Sequence, residues 1–120
     1  MNIRAGLALS VALLVLAFSV PVLADQRDQA KTQVTFAIKI AQKGLWKDAA
    51  LRFEAATVTD PSYAAAWNNL GIAYEQLGRF DDARRAYEKA MELDPDNNFI
   101  KVNYDYFREI YDRQNRRRGR

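Results

Sequence analysis

The feature that most constrains this chain is an internal repeat. Shifted by 34 residues against itself, the sequence sets Gly44 on Gly78, Trp46 on Phe80, Asp48 on Asp82, Ala49 on Ala83, Phe53 on Tyr87, Ala56 on Ala90 and Asp60-Pro61 on Asp94-Pro95. Each pair is an identity or an exchange of one aromatic ring for another. A unit of this size buries its apolar face only against a neighbouring copy, so the repeat predicts a stacked array. Each unit reads as two helices. In the second unit the helices are expected over about residues 62–77 and 80–93.

Two kinds of glycine punctuate these helices. Gly44 and Gly78 fall just past the end of the first helix of each unit, where a left-handed backbone closes the last turn at least cost in Gly. Gly71 lies mid-helix, where Gly costs roughly 1 kcal/mol relative to Ala, so something must come close to its backbone. Ala83 and Ala90 are small on the helix expected to approach it, and Ala37 holds the matching place in the first unit. Asp60 and Asp94 suit N-caps, with Pro61 and Pro95 in the first helical turn, where the missing N–H costs nothing.

Trp67, Leu70, Gly71 and Tyr74 stand as W-x2-L-G-x2-Y; Ala83, Tyr87 and Ala90 follow as A-x3-Y-x2-A, and then Pro95. In these residues the chain resembles the tetratricopeptide repeat family. The second unit, residues 64–97, matches at every signature position. The first, residues 30–63, matches through Ala49, Phe53, Ala56 and Pro61, but has Gln33, Phe36, Ala37 and Ile40 in place of the Trp, Leu, Gly and Tyr of the first helix. The resemblance implies an all-α fold of two tandem helix-turn-helix repeats closed by a C-terminal capping helix. It also implies a non-catalytic protein–protein interaction module.

The capping helix is expected over residues 98–112. At about 100° per residue, Ile100, Tyr104, Phe107 and Tyr111 form a narrow stripe that would pack on the preceding helix, with Lys101, Asp105, Arg108 and Asp112 as the polar outer face a terminal cap needs. A second apolar stripe, Phe99, Val102, Tyr106 and Ile110, is offset by roughly 125°. The resemblance implies that the equivalent faces of the other first helices line a concave ligand surface. Val34 and Ile38 would lie there in the first repeat, and Asn68, Ile72 and Glu75 in the second, with Asn69 beside them. With Val102, Tyr106 and Ile110 they would make a mainly apolar groove suited to an extended peptide or an amphipathic helix. The ordinary alternative is that these side chains pack on one another. Some members of the family hold a C-terminal carboxylate with Lys, Arg and Asn on this face. Here Asn69 stands at one such place, but Val34, Ile38, Phe99 and Asn103 fill the others, so carboxylate capture is not expected.

The opening residues differ from the rest. Arg4, an apolar run from Leu7 to Val20, Pro21 and then Val22-Leu23-Ala24 have the layout of a secretory signal peptide with a cleavage site after Ala24. The alternative is an uncleaved anchor, because a span needs ~20 residues. Removal of residues 1–24 leaves one small domain in residues 25–112 and an Arg-rich tail in residues 113–120. The expected location is the periplasm or outside the cell.

Of the 18 basic side chains, Arg4 lies in the leader and Arg113, Arg116, Arg117, Arg118 and Arg120 in the tail; residues 25–112 keep 12 basic against all 15 acidic ones, about −3. A mildly acidic body argues against a nucleic-acid surface. The Arg cluster suits an anionic contact, a membrane surface or an acidic partner. The chain has no Cys and no His, which removes the usual zinc ligands and thiol or imidazole catalysis. There is no Gly-rich phosphate loop, and no cofactor or enzyme activity is expected. Arrays of this kind usually need about three repeats. Two and a half are present, so self-association or docking on a larger partner is expected.

Overall fold

The computed structural model describes the backbone of residues 3–119 and the side chains of residues 23–119. It holds five helices: α1 (Ile3–Gln42), α2 (Trp46–Thr59), α3 (Ala64–Gln76), α4 (Phe80–Leu93) and α5 (Asn98–Arg118). No strand occurs among the described residues. The expected leader, residues 1–24, lies outside the described side chains except for Leu23 and Ala24. No helix among the described residues is long and apolar enough to cross a membrane, and the anchor alternative, over Ala5 to Ala24, likewise falls on residues whose side chains lie mostly outside those described.

The helices form two hairpins, α1–α2 and α3–α4, with α5 laid against α4 and the edge of α3. Both hairpin turns rest on glycine. Gly44 has φ +77° and Gly78 φ +72°, and no other described residue has positive φ. At the second turn the Gly78 N–H donates to the Glu75 carbonyl at 3.0 Å and the Arg79 N–H to the Tyr74 carbonyl at 2.9 Å. These bonds satisfy carbonyls left open by the helix end.

The turns between units differ from the sequence expectation. Asp60 and Asp94 end α2 and α4 rather than starting α3 and α5. The Asp60 carbonyl accepts from the Tyr63 N–H at 3.1 Å, and the Asp94 carbonyl from the Asn97 N–H at 3.2 Å. Pro61 and Pro95 therefore occupy the second position of a β-turn, where their fixed φ fits as well as in a first helical turn. The N-cap of α5 is Asn97, whose side-chain oxygen accepts from the Phe99 and Ile100 N–H groups at 3.0 and 3.3 Å. Asp60 instead folds its carboxylate over its own turn, accepting from the Ser62 N–H at 3.0 Å and the Ser62 hydroxyl at 2.7 Å. It also pairs with Arg27, which ties α1 to the junction between units. Burial pushes the Asp60 carboxyl up, but the Ser62 hydrogen bonds and the Arg27 guanidinium outweigh it and hold the group below the usual carboxylate range.

The core is built around alanine. Ala37, Ala49, Phe53, Ala56, Ala66, Leu70 and Ala73 are buried where α1, α2 and α3 meet. A second cluster, Ala83, Tyr87 and Phe107, joins α4 to α5. Small residues let helix axes approach, and the few large rings fill what remains. Gly71 shows this directly: a Cβ there would stand 2.9 Å from Cδ1 of the Tyr87 ring. The close neighbour expected from sequence is thus a buried aromatic ring rather than backbone. Tyr87 in turn packs on Phe107 at 5.2 Å between centroids, and Phe107 on Tyr111 at 5.6 Å. The stripe Ile100, Tyr104, Phe107 and Tyr111 faces inward, while Lys101, Asp105, Arg108 and Asp112 are exposed. α5 continues unbroken past Asp112, so Arg113, Arg116, Arg117 and Arg118 stand on its last turns.

Candidate functional site

The inner faces of α1, α3 and α5 carry the residues singled out from sequence. Their sides are set by helix phase, and the packing of α3 on α2 fixes that phase. Ile38 and Asn69 face each other across a cleft of about 360 Å³, floored by Ile72, Phe53, Trp46 and Ala41. Val102 and Tyr106 line a shallower hollow of about 270 Å³ on α5, between Asp105 and Glu109. Tyr106 is 67% exposed, Val102 51% and Ile110 36%. These are large apolar exposures for positions one helical turn apart.

Three of the singled-out residues point elsewhere. Val34 is 4% exposed and belongs to the core under α2 and α3. Asn68 is buried, and its side-chain oxygen accepts from the Asn103 amide at 3.2 Å, linking α3 to α5. Glu75 is half-buried and accepts from the Tyr87 hydroxyl at 2.8 Å. Asn69 stays on the rim, its amide donating to the Ala65 carbonyl at 2.8 Å. The groove as found is therefore more apolar than its sequence list. Two of its polar members, Asn68 and Glu75, hold helices together.

Two tyrosines anchor the repeat junctions in a way no local pattern reveals. The Tyr74 hydroxyl donates to Glu54 at 2.5 Å, across from α3 to α2, and the Tyr87 hydroxyl to Glu75, from α4 to α3. Burial first, and the adjacent carboxylates second, push both phenols well above the ordinary tyrosine range. Neither Glu54 nor Glu75 has a sequence signal as a partner, because the pairing residues are 20 and 12 positions away. The Arg side chains of the last α5 turns are exposed, with Arg113 paired to Glu109 at 3.5 Å.

Residues 64–97 match the family model of the tetratricopeptide repeat. The architecture is a tetratricopeptide-repeat fold. The tetratricopeptide-repeat domain of Sgt2 from Aspergillus fumigatus superposes with a TM-score of 0.69 at 28% identity, covering 72% of this chain and 59% of that one. In sequence, the chain is 28% identical over 85 residues to the chloroplastic tetratricopeptide repeat domain-containing protein PYG7 of Arabidopsis thaliana, covering 71% of this chain and 28% of that protein. It is 41% identical over 51 residues to the heat-shock protein cognate co-chaperone sgt12 of Aspergillus fumigatus, covering 42% of this chain and 15% of the relative. Against the peroxisomal targeting signal receptor of Kluyveromyces lactis it is 36% identical over 67 residues, 54% of this chain and 12% of the receptor. The chain thus spans well under a third of each of these curated relatives.

Proposed function

We propose that this tetratricopeptide-repeat chain is a non-catalytic adaptor that binds a peptide or an amphipathic helix of another protein along its inner face. The observation that carries this is the cleft lined by Ile38 and Ile72, together with the exposed Val102 and Tyr106 on α5. An exposed apolar surface of this kind on a small domain is a docking surface rather than packing. Two relatives named as a co-chaperone and as a targeting-signal receptor support a role in which another protein is the ligand. The partner is an envelope or secretion protein if the leader acts as its sequence indicates, which places the domain in the periplasm or outside the cell.

A charged residue at the floor or on the α5 wall breaks such a contact. Pull-down with the wild-type chain, with Ile72→Asp and with Tyr106→Asp is expected to lose the partner in both variants, with helical content unchanged by circular dichroism. Retention of the same partner by both variants would remove the inner face as the site.

A second reading has its own observation. α5 stays helical to Arg118 and presents four Arg side chains on its free end. A structural subunit that sits on an anionic membrane-associated complex through this end, and through the open face of the first repeat, is consistent with that placement.

A further inference from the structure

The two repeats display one surface twice, with opposite chemistry. On α4 the outward positions are Arg79, Asp82, Arg85, Lys89 and Glu92, and they satisfy one another. Arg79 and Arg85 both pair with Asp82, and Lys89 reaches Glu92 at 3.3 Å. The positions 34 residues earlier are Leu45, Asp48, Leu51, Ala55 and Val58. There Leu45 is 50% exposed, Leu51 60% and Val58 80%. Leu45, Leu51 and Ala55 line a hollow of about 420 Å³ with Ile40, Asp48 and Arg52. A solvated helix face has no need of this apolar set, as α4 demonstrates.

The neighbouring inward positions sharpen the contrast. In the second repeat Leu70 and Ala86 are buried against the first. Their counterparts, Phe36 and Arg52, have nothing over them: Phe36 is 49% exposed, and the Arg52 guanidinium lies 4.6 Å from its ring centroid. Asp48 and Arg52 stand one turn apart, yet neither forms an ion pair among the described residues.

We propose that this face pairs with itself on a second copy of the chain, α2 against α2 and antiparallel, about a two-fold axis beside Leu51. An isologous contact must be self-complementary. A carboxylate and a guanidinium one turn apart meet that demand. In the antiparallel pair Asp48 of each copy faces Arg52 of the other, the two Leu51 side chains lie beside each other, and Leu45 lies toward Ala55. The contact covers the apolar outward face of the first repeat and leaves the inner face of both copies open, so it stands independently of the adaptor reading.

The test uses the full chain in sedimentation velocity over a concentration series, with circular dichroism to verify folding. Wild type is expected as a dimer and Leu51→Glu as a monomer at the same concentrations. Asp48→Arg or Arg52→Asp alone sets like charges across the axis and should weaken dimerisation by about tenfold or more, equivalent to ~1.4 kcal/mol. The double exchange Asp48→Arg with Arg52→Asp should restore it. Because the chain has no Cys, Leu51→Cys should form a disulfide-linked dimer under mild oxidation while Tyr106→Cys does not. A monomeric wild type, association that survives Leu51→Glu, failure of the double exchange to restore it, or cross-links between Leu51→Cys and Tyr106→Cys chains overturns the proposal. The last outcome would mark a head-to-tail contact instead.

Discussion

Gly71 and Asp60 are the two residues whose roles are least replaceable, and for different reasons. Ala at position 71 gains roughly 1 kcal/mol in helix propensity but places its methyl 2.9 Å from the Tyr87 ring. That ring cannot swing away, because Phe107 and Tyr104 pack beside it at 5.2 and 6.3 Å. Overpacking in a closed core costs about 1–3 kcal/mol, so Gly71→Ala is expected to be destabilising by up to about 2 kcal/mol net in urea unfolding. A more stable Gly71→Ala would show that the ring has room. Asp60 gives a pH dependence. Its folded pKa lies below its unfolded value, so its contribution is complete above about pH 4 and is lost as pH falls through the folded value. Asp60→Asn is expected to lower stability by about 1.5–3 kcal/mol at pH 7, since hydrogen bonds to a charged group are worth about that much. It should also flatten the stability–pH curve below pH 4. Parallel curves for the two proteins would assign the acid sensitivity elsewhere.

α5 is the element on which the second repeat depends. It covers the side of Tyr87 turned away from α3, through Phe107 and Tyr104. Phe107→Ala is expected to cost about 3–5 kcal/mol, and urea unfolding should register it as a lower midpoint. A loss below ~1 kcal/mol would mean that α5 is a loosely held appendage. The existence and order of the helices from α2 onward were legible in the repeat, and the inward stripe of α5 in its spacing, because both follow from helical periodicity alone. The start of α3 and the residue that caps α5 were not. Asp-Pro fits a helix start and a β-turn equally well, and the choice falls to Asn97 and to the Arg27–Asp60 contact across 33 positions. Helical phase is enough to put Ile38 and Ile72 along one cleft and Val102 and Tyr106 on one exposed face of α5. The inward turn of Val34 and the fastening of Asn68 and Glu75 depend on how far neighbouring helices lean together, which periodicity does not encode.

For the molecule as a whole, charge and apolar surface are separated by location. The acidic excess lies in the folded body and the Arg side chains on the free end of α5. Changing Arg113, Arg116, Arg117 and Arg118 to Gln keeps the helix but removes its positive end. Sedimentation with vesicles containing anionic phospholipid is expected to show binding by wild type, weakened by salt and lost in the variant. Equal binding by both proteins would leave that end without a role in membrane contact. The aromatic residues are divided as well. Both tryptophans, Trp46 and Trp67, pack on the cluster where α1, α2 and α3 meet, whereas the α4–α5 junction holds only Tyr and Phe rings. Indole fluorescence therefore watches the first junction alone. Detachment of the terminal helix would pass unseen in it and surface only in phenol absorbance, through Tyr87, Tyr104 and Tyr111, so a tyrosine change at constant indole emission is the optical mark of that half opening alone.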